Sequence, residues 1–471
     1  MFATLKHKWE TTPFYPKIFR LVLPIIIQNL LSAAVSSADI VMLNFLGEDA
    51  QSAISAVSLA TQYSNVLFSV YFGLGTGVTM LCAQYYGKED FSAIRVIQGI
   101  ALRISLIITI LLAGFSLLFP EVLMGIFTTD SDLITVGAGY LRVISIAYLC
   151  WGISEVYLAS LRSIGKVAIS TGLNMMAFGL NILLNAVFIF GLFGAPQLGA
   201  TGVALATSLS RLVELVGCFM VSAFQKEIKL QLRMIFVRNK LLFKDFVRMS
   251  LPALANDVIW GLAFSTYSVI IGHLGSDAVA ANAFVIVARN FGTILCYGMA
   301  SAGSILLGNE IGENKLEEAR RDASRLMKLT LISSVIGGLI ILAATPFILT
   351  YADISDTAKH YLKYMLLINT YYVTGTAVNT TLIAGVFRAG GDSRFGFFCD
   401  TIDMWFYAVP LGFIAAFILD LPVLVVYFLL CTDEFVKWPW VLKHYKSGKW
   451  LKNITRDNLF EETNPPAQAA N

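Results

Sequence analysis

Several ionisable side chains fall inside long apolar stretches: Asp39, Glu155, Glu214, Asp257, Asp400 and Asp403 as acids, Arg211 and Arg289 as bases. A charge at the centre of a hydrocarbon layer costs about 2.5–3.5 kcal/mol or more, so such groups are candidates for function. Asp39 stands in the small-residue run SAAVSSADIVML, with no base within two turns of its own helix. Asn181 and Asn185 are spaced i, i+4 and share one helix face, and Thr201 opens the next apolar run. One carboxylate, two amide oxygens and a hydroxyl would suit a hard cation such as Na⁺, which prefers oxygen ligands. Without a salt bridge, the same carboxylate could instead carry a proton. A hydrogen-bonded knot that packs three helices is the other reading of these residues.

A second group combines acids with rings. Asp257 follows Pro252 by five residues with Trp260 and Tyr267 beyond it, and Asp400 precedes Trp405. Carboxylates beside ring faces can bind an organic cation, although a structural role for both acids stays open. Arg211 and Glu214, at i, i+3, are expected to pair on their own helix. Glu155 and Asp403 read as paired or water-facing groups, and Arg289 as a member of the Arg211 network or a partner for a carboxylate elsewhere.

The elements holding these residues must be membrane helices. Of 471 residues 57% are hydrophobic and only 14% charged, with a mean hydropathy of +0.71. Soluble domains carry about 25% charged residues, so a soluble globular chain is excluded, as are disorder and a collagen repeat. The net charge of +3 does not suggest nucleic acid. Six scattered cysteines form no C-x-x-C pair and read as small hydrophobes. His7, His273, His360 and His444 fall at ends or loops, which argues against a histidine proton relay. Apolar runs long enough for a bilayer lie near 18–46, 52–86, 94–119, 134–162, 168–192, 198–224, 246–274, 278–309, 322–350, 360–387, 395–418 and 421–443. Most of the 34 Lys and Arg fall in the segments that are cytoplasmic if both ends are inside. The opposite loops carry Glu48/Asp49, Asp130/Asp132, Asp277, Asp353/Asp356 and Asp420. This asymmetry supports twelve spans with both termini cytoplasmic.

The chain also repeats itself, at a period of about 225 residues. LVLPIIIQNLL at Leu21 parallels MSLPALANDVI at Met249, with Pro24 matching Pro252. AQYYGKEDFSAIR at Ala83 parallels NEIGENKLEEARR at Asn309 with a short shift, and LRSIGKV at Leu161 parallels FRAGGDS at Phe387. Six spans per half give both halves the same orientation, the parallel-repeat plan of transporters. The expected organisation is a six-helix lobe over 1–224, a solvated basic linker over 225–248, a second lobe over 249–455 and a disordered tail over 456–471.

The ordered landmarks resemble the multidrug and toxic compound extrusion (MATE) family across residues 18–455. They are ADIVMLNFLG at Ala38, AQYYG, LRSIG and GATGVALAT at Gly199, then LPALANDVIWG at Leu251, HLGSDAVAA at His273, LGNEIGENKLEEAR at Leu307 and FRAGGDSRFGF at Phe387. The resemblance, nearest to the DNA-damage-inducible F branch, implies an all-α integral membrane fold of two parallel six-helix lobes in a V. It further implies antiport of drug-like, often cationic compounds against H⁺ or Na⁺ by alternating access. Asp39 would then be the ion-site carboxylate, with Asn181 and Thr201 beside it. Asn185 stands where relatives have aspartate, which removes a charge and favours H⁺ over Na⁺. Asp257 stands where many members have glutamate.

The expected partners are small organic molecules and the bilayer, with no ATP, nucleic acid or cofactor beyond the coupling ion. The expected state is a monomer in the cytoplasmic membrane. One rival is a lipid-linked oligosaccharide flippase of the same superfamily, which should have a more cationic cavity. An integral membrane enzyme would need a catalytic constellation, and the sequence offers no nucleophile elbow, phosphate loop or His/Cys metal cluster.

Overall fold

The computed structural model describes residues 13–43, 45, 50–225, 227–352, 354–457 and 459. His7, Glu48, Asp49, Asp353 and most of the expected tail lie outside them. The described residues form helices and no strand, as a bilayer demands of any chain that is not a closed barrel. The first half contains α1 (Phe14–Leu43), α2 (Ala50–Gly87), α3 (Phe91–Leu118), the short α4 (Pro120–Phe127), α5 (Ser131–Ser163), α6 (Val167–Phe190) and α7 (Gly199–Phe224). The second half begins with α8 (Lys240–Gly272), α9 (Ser276–Gly312), α10 (Leu316–Tyr351) and α11 (Asp356–Thr380). It closes with α12 (Ser393–Thr401), α13 (Val409–Phe417), α14 (Val423–Leu430), α15 (Asp433–Val436) and α16 (Trp438–Ser447).

Ten of the described helices are long and apolar enough to cross a membrane uninterrupted, counting Ser393–Phe417 as one. The remaining two spans of the twelve-helix fold are broken or polar, which is why length and hydropathy alone miss them. Thr381–Phe387 continues α11 as a π-helical stretch, and Ile402–Ala408 links α12 to α13 in the same way. The expected span over 421–443 is divided by turns at Cys431–Thr432 and Lys437. That break places Asp433, Glu434 and Lys437 at one level. Side chains such as Leu111, Leu118 and Phe406 are exposed on helix surfaces, at 67%, 69% and 76%. In a bilayer these faces meet lipid rather than water.

By its contacts the chain forms two units. The C-terminal unit comprises the described residues up to Ile27 together with Leu251–Lys452, and the N-terminal unit comprises Gln28–Ser250 with the described residues from Asn453 on. This division differs from the boundaries expected in the sequence. Within the C-terminal unit, Val22 and Ile26 of α1 pack against Gly298 of α9. Within the N-terminal unit, Phe246 of α8 is fully buried in the apolar core. The basic segment 225–248 is not a free connector either. Ile228 and Leu230 enter that core, and Arg103 donates to the carbonyls of Ile235 and Val237, each at 2.7 Å. The start of the expected tail is likewise held: Arg456 pairs with Asp245, Lys88 with Asp457, and Leu459 is buried.

The repeat is visible in backbone detail. After α2, Lys88, Glu89 and Asp90 N–H groups bond back to Gln84, Tyr86 and Tyr85 carbonyls at 3.0, 3.0 and 2.9 Å. After α9, Glu313, Asn314 and Lys315 repeat this on Asn309, Ile311 and Glu310 at 3.0, 3.0 and 2.9 Å. Glu89 and Asn314 both take positive φ, 65° and 59°. The two turns therefore align residue for residue, Gly87 with Gly312, which fixes the small shift expected from the sequence. Gly165 and Gly391 close the second matched pair of turns at φ 77° and 72°, a conformation glycine adopts without a Cβ clash.

Candidate ion-coupling and substrate sites

In the N-terminal unit, α1, α6 and α7 bring a polar chain together inside apolar surroundings. Asn185 Nδ2 donates to Asp39 Oδ1 at 2.5 Å and lies 3.2 Å from Asn181 Oδ1. Asn181 Nδ2 in turn donates to Thr207 Oγ1 at 3.1 Å. The i, i+4 spacing of the asparagines places both amides on the face that meets α1 and α7. Asp39 is half-buried and has no ion-pair partner among the described residues. Asn185 is fully buried, and its Oδ1 accepts no hydrogen bond. Thr201, expected to supply the hydroxyl, stands outside this chain beside Gly139 of α5. Thr207, nearly two turns further along α7, takes that place. Either threonine fits a rule that asks only for a hydroxyl on α7, so sequence alone does not separate them.

Arg211 and Glu214 form their i, i+3 pair at 2.8 Å, with the guanidinium 4.5 Å above the Trp151 ring. Glu155 is bound by Arg162 of the same helix. Arg289 lies in the C-terminal unit and joins neither. It stacks 4.6 Å from the Phe264 ring and lines a cavity of about 20 Å³ with Tyr267, Tyr372 and Tyr427. That space is large enough for one water.

The acids expected to bind an organic cation sit in a far larger charge network. Asp257 is bound by Arg388 at 2.6 Å, and the same Arg388 Nη2 donates to Asn256 Oδ1 at 3.2 Å. Asn256 Nδ2 donates to Asp400 Oδ2 at 2.7 Å. Lys437 reaches Asp400 at 3.0 Å, Glu434 at 3.1 Å and Asp403 at 3.8 Å. Asn379 also donates to Glu434, at 2.6 Å. Tyr267, expected as a ring for ligand, donates its hydroxyl to Asp433 at 3.1 Å. Trp260 packs on Phe264 with centroids 4.3 Å apart, and Trp405 donates to the Ile259 carbonyl at 3.3 Å.

Five acids (Asp257, Asp400, Asp403, Asp433 and Glu434) thus gather with Arg289, Arg388 and Lys437 in one unit. Asp403 is fully buried and neither carboxylate oxygen has a hydrogen-bond partner. Burying a charge without such partners costs several kcal/mol, and the Lys437 ammonium at 3.8 Å is the cation that offsets it. Sequence reading missed Arg388, Asp433, Glu434 and Lys437. The signal was present, since DEFVK interrupts an apolar run at Asp433, but Lys437 read as a flanking cytoplasmic charge.

Two six-helix repeats of the same orientation are a plan on which membrane transporters are built. The chain belongs to the MatE family, whose model matches residues 24–187 and 252–431. It is 25% identical to a probable multidrug resistance protein NorM of Thermotoga maritima, over 98% of this chain and 99% of that one. The uncharacterized transporter YisQ of Bacillus subtilis is 23% identical over 92% of this chain and 95% of its own. Among solved structures, an outward-facing multidrug resistance MATE transporter matches with a TM-score of 0.81 and 20% identity, covering 92% and 96% of the two chains. A transporter of the same superfamily from Pyrococcus furiosus, described as having a binding pocket of reverse polarity, matches with a TM-score of 0.81 and 20% identity over the same shares. These likenesses establish the fold, all-α with twelve membrane helices in two repeats. Such a protein is a multi-pass membrane transporter.

Proposed function

We propose that the protein exports drug-like, mostly cationic organic compounds across the cell membrane in exchange for H⁺, by alternating access and without ATP or catalysis. The observation that carries this reading is Asp39, a half-buried carboxylate with no cation beside it at the end of an amide chain. An unpaired charge at that depth changes its energy strongly when an ion arrives, which is what coupling requires. The neutral Asn185, as it is oriented, disfavours Na⁺. Its N–H faces the carboxylate, whereas a metal ion there would need the amide oxygen. Loading from outside neutralises Asp39, substrate leaves, and the ion is released inside. One charge moving through 100 mV supplies about 2.3 kcal/mol, enough for a roughly 50-fold gradient. The names of the NorM relatives support multidrug export.

A flippase for lipid-linked pyrophosphates would want excess cations in its cavity, and the C-terminal unit buries more acids than bases. The test is transport of a fluorescent organic cation in proteoliposomes under a pH gradient alone and a Na⁺ gradient alone. Transport driven by the pH gradient and abolished by Asp39→Asn is the expected result. Transport driven only by Na⁺ overturns the proton assignment, and movement under neither gradient overturns drug export.

A further inference from the structure

Beyond the transport sites, the segment between α7 and α8 carries charges and apolar surface that the transport reading leaves unused. It is held at three points. Ser222 Oγ accepts the Leu230 N–H at 2.6 Å, Arg103 of α3 donates to the Ile235 and Val237 carbonyls, and Asn239 Oδ1 caps α8 by accepting the Leu242 N–H at 2.9 Å. Gly99 lets the Met234 carbonyl lie directly against α3, where a Cβ would overlap that oxygen. On this fixed stretch the Phe236 side chain is 82% exposed.

The place of the stretch along α3 says what that ring faces. Arg103, Ile107 and Ile110 follow at i, i+4 and i+7 and share one helix face, and both isoleucines are exposed as lipid-facing residues are. The stretch therefore crosses the foot of a lipid-facing stripe, at the level where hydrocarbon gives way to headgroups. Bases surround the ring there. Arg233, Arg238, Lys240, Lys244 and Arg248 are exposed, and none has a side-chain hydrogen bond or ion pair among the described residues. Lys240, Lys244 and Arg248, four residues apart, line one face of α8. The two acids of the segment are already taken, Glu227 by Lys166 and Asp245 by Arg456. Unpaired cations beside an exposed ring fit an anion that carries hydrocarbon; a soluble anion would leave Phe236 without a role.

We propose that residues 233–248 seat anionic phospholipid, with the phosphodiester held by Arg233, Arg238, Lys240 and Lys244 and the acyl chains against Phe236 and Val237. Bases with a ring beside them at headgroup level form the pattern of a surface-lying membrane anchor, and each Lys or Arg near an anionic membrane strengthens attachment about fivefold. The full chain in maltoside detergent is titrated with dioleoyl phosphatidylglycerol or dioleoyl phosphatidylcholine, and native mass spectrometry counts the lipid retained. Wild type is expected to bind phosphatidylglycerol at least tenfold more tightly. Arg238→Gln/Lys240→Gln/Lys244→Gln should lose most of that preference, and Phe236→Ser should weaken phosphatidylglycerol binding with every charge in place. Lys328→Gln/Lys446→Gln/Lys449→Gln removes the same charge from exposed positions of the C-terminal unit and should keep the preference. All the substituted residues are exposed, so the variants are expected to fold. No preference in wild type, or equal loss in the two triple variants, overturns the seat. Displacement of the lipid by inorganic phosphate overturns it as well, in favour of a site for a soluble anion.

Discussion

Asn185 donates to Asp39 at 2.5 Å while its own carbonyl oxygen, fully buried, accepts nothing. The amide is thus aimed to hold an anion, and it turns its unused acceptor away from that anion. Asp39→Asn is expected to reduce gradient-driven transport at least tenfold in proteoliposomes while leaving the detergent melting temperature within a few degrees. Asn185→Asp adds the charge that the site lacks, and it should introduce Na⁺-dependent transport. The check is the rate at fixed pH with and without Na⁺.

Lys437 is the cation that three buried carboxylates share. Removing one partner of a buried charge set costs about 3–5 kcal/mol, and here three acids lose their partner together. Lys437→Met is expected to lower the melting temperature sharply or prevent folding. Asp403→Asn removes an acid with no hydrogen bond, so it should leave stability unchanged or raise it. Melting of the purified variants in detergent separates the two signs. A destabilised Asp403→Asn would show that the carboxylate is held by something more than Lys437.

Asp257 and Arg388 form an ion pair at 2.6 Å that reaches from α8 to the π-helical end of α11. Arg388 is repeated by Arg162, which binds Glu155 in the other unit. Contacting residues couple by about 0.5–3 kcal/mol in double-mutant cycles. Asp257→Asn and Arg388→Gln should each destabilise, and the double variant should lose less than the sum. Additive losses would show that the pair carries no net coupling.

His444 lies face to face with Phe395 at 3.8 Å and bonds Asp392 at 3.0 Å. Burial pulls the imidazole below its ordinary value of 6.5, against the opposing pull of Asp392. The native state therefore binds the proton less readily than the unfolded chain. By linkage, this contribution to stability is complete above the ordinary histidine value and is lost as pH falls below it. The wild-type melting temperature should drop between pH 7 and pH 5, and His444→Gln should flatten part of that drop.

Helical spans were legible from apolar length and the repeat from matched segments, while joining Asp39 to asparagines 146 positions away rested on its isolation among apolar residues and on the family resemblance. The i, i+4 asparagines lie on one face by helix geometry alone. Thr207 was not separable from Thr201, because which hydroxyl meets Asn181 depends on how α7 is set against α6. The Lys437 network was hidden for a different reason. Its members come from four stretches of chain, and Lys437 ends an apolar run, where a lysine ordinarily marks the water boundary. Only the break between α14 and α16 turns it inward. The partner of Asp257 was hidden because Arg388 lies 131 positions from it in sequence.

The strap that runs from Asn453 to Leu459 gives the chain an order of manufacture. Gln84 and Tyr85 receive backbone N–H groups of Ile454 and Arg456, and Asp245 receives the Arg456 side chain. These residues emerge from the ribosome long before their partners. At about 5–20 residues per second, the 211 positions from Asp245 to Arg456 take on the order of 10–40 s to make, and the 370 from Gln84 to Ile454 about 20–75 s. Through that interval the N-terminal unit stands without these contacts, and it gains them only once residues 453–457 are made.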